Sequence, residues 1–156
     1  MNAVIQRLRA EITADVATFE SRVDELAALP PFSKDPAPLA QAAVALHHAY
    51  GAVESALLRV ARALEGDAPD GPDWHQALLM SMSLQIEGVR PAVLSTQSVT
   101  NLRHLLSFRH FFRHAYSVDL DPLRLEELRK VALAARPVVR NDFATLDRLL
   151  QELATR

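Results

Sequence analysis

Residues 36–65 read PAPLAQAAVALHHAYGAVESALLRVARALE, and their apolar side chains recur at every third or fourth position. This spacing places the side chains on one face of an α-helix, which has about 3.6 residues per turn. Asp35 stands before Pro36, and an acidic residue followed by proline is typical of a helix start. We therefore predict a helix from Asp35–Pro36 to about Glu65. Its apolar stripe consists of Leu39, Ala42, Leu46, Val53, Leu57, Val60 and Leu64.

The same periodicity covers most of the chain. It predicts further helices over residues 2–29, 73–85, 99–116 and 122–154, separated by segments rich in proline, glycine or hydroxyl side chains. Pro137 lies inside the last of these helices and is expected to kink or split it. Alternating β-branched runs are absent and the chain has only four glycines, so no strand is predicted. We expect an all-α fold, an up-and-down bundle of four to five helices.

Composition limits the class of protein. The chain has 156 residues, of which 49% are hydrophobic and 23% charged, which indicates a single globular domain over residues 1–156 and excludes a disordered chain. No cysteine is present, so there is no disulfide framework and no thiolate metal site. We see no signal peptide, and no apolar run approaches the ~20 residues that span a bilayer. These features predict a soluble cytoplasmic protein without a cofactor or a membrane partner.

Residues 109–116, RHFFRHAY, contain two arginines, three aromatic residues and two of the six histidines of the chain. At about 100° per residue, Arg109, His110, Arg113 and His114 share one helix face. Leu102 and Leu106 precede them in the same sector, so the polar sector opens only in the last two turns, as at the mouth of a pocket. The opposite arc is expected to supply core residues: Phe108, Phe111, Phe112, Ala115 and Tyr116.

These side chains suit the chemistry of a phosphate diester. The planar arginine fork matches phosphate oxygens, and histidine, with a pKa near 6.5, exchanges protons near neutral pH. Together they suffice for metal-independent RNA cleavage by the neighbouring 2′-hydroxyl. A solvated helix C-terminus, where cations are favourable, is the alternative. Because the net charge is −2, contact with RNA would use a local patch, and oligomerisation would bring two patches together.

The pattern Arg109-x4-His114-x-Tyr116 resembles the signature of HEPN-domain ribonucleases. It is most similar to the HepT toxins, the partners of minimal nucleotidyltransferase antitoxins. Phe108, the segment Trp74-His75-x-x-Leu78-Leu79 and the pair Arg90-Pro91 also resemble HepT-like proteins. The resemblance implies a HEPN-like helical bundle that forms a homodimer, in which two Arg/His motifs face one cleft.

The resemblance also implies a role for each residue of the motif. Arg109 would stabilise the pentavalent phosphate, and His114 would serve in proton transfer or substrate positioning. His110 would orient this pair, and Tyr116 would accept AMP from the nucleotidyltransferase. We assign Arg113, which has no fixed role in the family, to the RNA backbone. The chain is thus expected to be the endoribonuclease of a type VII-like toxin–antitoxin pair, with tRNA as a candidate substrate, silenced by AMP addition.

Two other functions remain open from the sequence. A non-catalytic HEPN module would bind a nucleotide or dock on a nucleotidyltransferase, with Arg109 holding a phosphate. A structural helical dimer would instead use the Arg/His cluster to contact acidic residues of a partner. His110 and His114 also have the i, i+4 spacing of helical zinc ligands, but with no carboxylate on that face and no cysteine, no metal site is predicted.

The remaining histidines have less specific surroundings. His47 and His48 stand on the same helix as Tyr50 and Glu54. His47, seven residues before Glu54, could line a polar cavity, although a helix surface or a dimer interface is the preferred interpretation of this group. The pair Trp74–His75 is expected to anchor the third helix in the core rather than to contact RNA. His104 is expected to be a partly buried structural histidine.

Overall fold

A computed structural model describes residues 2–114 and 119–156, apart from the side chains of Arg113 and His114. These residues form α-helices joined by loops, and the part of the chain that is described contains no strand, which confirms the predicted all-α bundle. The helices are α1 (Asn2–Ala28), α2 (Pro36–Val60), α3 (Trp74–Ser81), α4 (Thr96–His114) and α5 (Pro122–Thr155).

The helices pack around one apolar cluster. α1 lies against α2 and α5, α4 lies against α2 and α5, and the short α3 lies between α2 and α4. Each helix turns an apolar face inward, because burying that face removes it from water. Within the described ranges, no helix is both long enough and apolar enough to cross a membrane.

The helix start predicted at Asp35–Pro36 is present, and a second Asp-Pro pair, Asp121–Pro122, begins α5. The side chain of Asp35 accepts a hydrogen bond from the Ala37 backbone N–H (3.2 Å), and that of Asp121 accepts one from the Leu123 N–H (3.0 Å). These bonds satisfy backbone donors that have no partner inside the helix. At its other end α2 continues as a π-helical turn, Ala61–Glu65, which Gly66 ends in the left-handed conformation (φ 80°).

Two predicted boundaries differ from the structure. α3 ends at Ser81 rather than near residue 85, and α4 begins at Thr96 rather than near residue 99. α4 begins earlier because the Ser95 hydroxyl oxygen accepts a hydrogen bond from the Ser98 N–H (3.3 Å) and so caps the helix. Asp142 of α5 accepts hydrogen bonds from both the N–H and the hydroxyl of Ser95 (2.9 and 3.0 Å). The start of α4 is thereby tied to α5.

Pro137 does not split α5, which runs through it for 34 residues. A proline in a helix removes one backbone hydrogen bond, here the one to the carbonyl of Leu133. Ala135 and Val139, on either side of Pro137, are both fully buried. The apolar face of α5 therefore stays packed on the core on both sides of the proline, which offsets the missing bond.

A buried arginine holds the connection between α3 and α4. The Arg90 guanidinium donates to the Glu65 carboxylate (2.6 Å) and to the backbone carbonyls of Ser81 (3.1 Å), Leu84 (2.9 Å) and Pro91 (3.1 Å). Its side chain is fully shielded from solvent. Arg90 therefore joins the π-helical turn, the end of α3 and the segment leading to α4 at a single point.

We expect Arg90→Ala to lower the free energy of unfolding by about 3 kcal/mol, because it removes one partner of a buried, hydrogen-bonded ion pair. Urea denaturation followed by circular dichroism measures the change. The matched control is Arg62→Ala, an exposed position in the same π-helical turn, for which we expect a change within about 0.5 kcal/mol. Equal effects of the two substitutions would show that Arg90 does not hold the connection.

Candidate active site

A carboxylate is buried where α2, α3 and α4 meet. Glu54 of α2 is 5% exposed, and its two oxygens face different helices. Oε2 lies 2.6 Å from Nδ1 of His75 in α3, and Oε1 lies 4.0 Å from Nη2 of Arg109 in α4. The Tyr50 hydroxyl, one turn earlier on α2, also hydrogen-bonds to Glu54. A buried carboxylate requires such partners, since burial removes it from water.

The contact with Glu54 orients the His75 ring. An ionised carboxylate only accepts hydrogen bonds, so the proton lies on Nδ1, and we assign a lone pair to Nε2. The ring also stacks on Trp74, with ring centroids 3.7 Å apart, and Trp74 packs against the core. The predicted anchoring of α3 by Trp74–His75 is confirmed. Trp74 contacts one face of the His75 ring, and Glu54 contacts its Nδ1 edge.

Tyr50 is a neutral donor in this cluster. Burial raises the pKa of the Tyr50 phenol well above its ordinary value, and the nearby negative charge and hydrogen bond of Glu54 raise it further. The positive charge of Arg109 opposes this increase in the Tyr50 pKa but does not cancel it. Tyr50 therefore stays protonated, and its hydroxyl donates a hydrogen bond to the Glu54 carboxylate.

Arg109 lies between two cavities. One, of about 230 Å³, is also lined by His75, Arg103 and His110, and the other, of about 350 Å³, by His47 and residues of α1 and α2. The Arg109 side chain is 15% exposed. Its Nε is buried and has no hydrogen-bond partner among the described residues. Because buried donors are normally paired, this guanidinium is a candidate to bind an anion.

The structure places the predicted site residues as follows. Arg109 and His110 line the same cavity, and His110 is exposed. The backbone of Arg113 and His114 continues α4 by one turn, but their side chains lie outside the described part of the structure. Tyr116 also lies outside the described residues. Among those described, no three histidine, aspartate or glutamate side chains are grouped as metal ligands.

One prediction about α2 is corrected. Tyr50 and Glu54 are buried, so the helix-surface interpretation is wrong for them, because they lie on the stripe that faces α3 and α4. His47 is partly buried and approaches Phe112, with ring centroids 5.7 Å apart, whereas His48 is exposed. His47 lines the larger cavity, as the polar-cavity alternative expected, and His48 lines it as well.

Two predictions about α4 are also wrong. His104 is exposed rather than partly buried, and Phe111 is 49% exposed rather than part of the core. Phe111 lies at the end of the aromatic arc next to the polar sector and lines a shallow cavity with Leu120 and Arg124. At such a border the helical spacing does not decide whether a side chain faces the core.

Sequence reasoning missed that Glu54 faces Arg109 and that His75 pairs with Glu54. A signal was present for Glu54, because it stands four residues after Tyr50 and three before Leu57, within an otherwise apolar stripe. An acidic residue on a core-facing stripe indicates a buried partner. Nothing in the local pattern indicated that this partner would come from α3.

A family model described as HepT-like protein matches residues 41–150. The matched range includes most of α2, all of α3 and α4, and most of α5, and so contains Glu54, His75 and Arg109. No match was found among curated proteins or among solved structures.

Tyr50 is expected to remain protonated as the pH is raised through about 10, where an unperturbed tyrosine ionises. A folded-state pKa raised above the unfolded value stabilises the folded protein below pH 10, and this contribution is lost as the pH rises towards the folded pKa. The tyrosinate absorbance of the folded chain and of Tyr50→Phe should therefore coincide in an alkaline titration. In denaturant they should differ by one tyrosine. An extra tyrosinate in the folded parent would contradict the burial of a neutral phenol.

Proposed function

The chain belongs to the HepT-like protein family, and we propose that it is the cytoplasmic toxin of a toxin–antitoxin pair, a metal-independent endoribonuclease. The observation that carries the proposal is the position of the Arg109 guanidinium, which lines a cavity together with two imidazole side chains. This guanidinium is partly buried, and its Nε has no hydrogen-bond partner among the described residues. Resemblance to HEPN ribonucleases assigns the same arginine to the scissile phosphate. The whole chain, residues 1–156, would act as one domain.

In the proposed reaction the ribose 2′-hydroxyl gives up its proton to a base, and its oxygen attacks the adjacent phosphorus. The Arg109 guanidinium stabilises the negative charge that develops on the phosphoryl oxygens. The bond from phosphorus to the 5′-oxygen breaks, and His114 protonates this leaving oxygen. The products are a 2′,3′-cyclic phosphate and a 5′-hydroxyl. His110 orients the reacting groups, and Arg113 contacts the RNA backbone.

We propose that two copies of the chain form the cleavage cleft. The net charge of −2 leaves one copy with only a local cationic patch at the end of α4, and pairing two such patches strengthens phosphate attraction. Phe111, a large exposed apolar side chain beside His110, is a suitable contact for the second copy because burying it removes apolar surface from water.

Regulation is proposed to act on Tyr116, two residues after His114. A cognate nucleotidyltransferase would transfer AMP to the phenol oxygen, releasing pyrophosphate from ATP. The added phosphate carries negative charge and bulk next to the cationic motif. It would therefore repel the RNA phosphate and block the cleft.

We expect Arg109→Ala and His114→Ala each to reduce RNA cleavage by about 10²-fold or more, because each removes a group that acts only as the transition state forms. The assay follows a pool of tRNA and a mixed-sequence oligoribonucleotide in EDTA and identifies 2′,3′-cyclic phosphate ends. Arg148→Ala, an exposed α5 substitution with the same loss of charge, is the control. Cleavage that survives the double mutant at the parental rate would remove the catalytic assignment.

If the parent cuts no RNA at any protein concentration, the ribonuclease proposal is wrong and the non-catalytic module replaces it. The modest overall charge is the observation that favours this second function. Nucleotide binding that is lost in Arg109→Ala would then support it.

Incubation with the cognate nucleotidyltransferase and ATP should raise the mass of the chain by one AMP group and suppress its cleavage of RNA. Tyr116→Phe should keep its mass, because it lacks the acceptor oxygen, and should stay active in the same mixture. Intact-protein mass spectrometry measures both. A Tyr116→Phe protein that still gains AMP would place the modification elsewhere.

A further inference from the structure

The cavity of about 230 Å³ beside Arg109 contains side chains from two helices. His75 reaches it from α3, and Arg103, Arg109 and His110 reach it from α4. Asp73, in the loop before α3, is the carboxylate among its lining residues. The cavity therefore brings two guanidinium groups and two imidazole rings together in a single copy of the chain.

Within this cavity a carboxylate sets the orientation of the His75 ring. Glu54, on the core side, accepts from Nδ1 at 2.6 Å, and the other ring nitrogen remains to accept a proton. The His75 side chain is 20% exposed and the Glu54 side chain 6% exposed. A carboxylate that orients an imidazole and stabilises its protonated form is the arrangement that proton-transfer histidines use.

We propose that His75 is a further catalytic residue, the general base that accepts the 2′-hydroxyl proton, and that Glu54 is its positioning residue. The inference rests on the proposed endoribonuclease function and deepens it. As the 2′-oxygen forms its bond to phosphorus, Nε2 takes the proton, and the imidazolium is paired with the Glu54 carboxylate. The 5′-oxygen leaves with a proton from His114. His75 then returns its proton to solvent, which restores the starting state.

A purely structural role of His75 explains its contact with Glu54 less well. Glu54 already accepts a hydrogen bond from Tyr50 and faces Arg109, so His75 is not required as its first partner. A side chain needed only to neutralise Glu54 would be expected to be fully buried, whereas His75 opens onto the cavity that Arg109 also lines. The charged or titratable groups that face it are Glu54 from α2, Asp73 from the preceding loop, and Arg103, Arg109 and His110 from α4.

The substitution His75→Asn separates a catalytic role of His75 from a purely structural one. The asparagine amide nitrogen can donate to Glu54 in place of Nδ1, while the accepting Nε2 is lost. We expect kcat on the tRNA pool to fall by about 10²-fold or more, with KM and the melting temperature close to the parent. The fall of activity at acid pH should also disappear from the residual rate, because no base remains to be protonated. His104→Asn, at an exposed position of α4, should keep the parental kcat and pH profile.

A substrate with sulfur replacing the 5′-oxygen at the site that the parent cleaves tells the base from the acid. Sulfur leaves without a proton, so it should restore cleavage by His114→Ala but leave His75→Asn slow. Rescue of His75→Asn instead would make His75 the acid and overturn the proposal. Glu54→Gln, which keeps the shape of the side chain, should lower kcat by about 10-fold and displace the acidic limb of the pH profile.

The outcomes separate the two proposals. If the parent and His75→Asn cleave RNA at the same rate, His75 is structural and this inference fails, while the endoribonuclease function stands. If the parent cleaves neither the tRNA pool nor the oligoribonucleotide, the proposed function fails and the base role fails with it. Loss of activity together with a melting temperature well below that of the parent would indicate a folding defect and would count against a catalytic His75.

Discussion

A carboxylate buried inside a helical bundle requires hydrogen-bond donors or cations as partners. Glu54 is such a carboxylate, and its partners come from three helices. The donors are Tyr50 from the same helix, His75 from α3 and, at a longer distance, Arg109 from α4. Sliding or rotating α3 would remove the His75 contact of Glu54, and moving α4 would remove the Arg109 contact. The same side chain therefore sets the register of three helices and the position of the arginine expected to act on phosphate.

The position of α4 is determined at both of its ends. Near its start, Ser95 caps the helix and is held by Asp142 of α5, and Arg90 fixes the preceding segment through backbone carbonyls. Towards its other end, Arg109 faces Glu54. A rigid helix placed in this way holds functional side chains more accurately than a loop does. Arg90 lies outside the candidate site, but by fixing the segment before α4 it helps to position Arg109.

The positive charge of the site comes from a few neighbouring side chains and not from the net charge of the chain. Arg109 lies 4.0 Å from the Glu54 carboxylate, at the outer limit of an ion pair, and its Nε is unpaired among the described residues. At this distance the carboxylate attracts the guanidinium without occupying all five of its N–H donors. Such an arginine can still bind a phosphate oxygen, which explains how a chain with a net charge of −2 could act on an anion. RNA binding through so small a patch should weaken strongly with salt.

The sequence alone determined the helices, because their signals lie within a few residues of one another. The apolar stripes, Asp35 and Asp121 at two helix starts, and the clustering of Arg109 with His110 on one face are all local patterns. The motif that includes His114 and Tyr116 was equally visible, although their predicted roles remain predictions. The tertiary structure alone decided that Glu54 meets His75 and Arg109, that Asp142 holds Ser95, and that Phe111 faces outward. Glu54 and His75 are 21 positions apart, and Ser95 and Asp142 are 47 apart. Such residues meet only because helices pack side by side, and helical periodicity does not show which helix faces lie against each other.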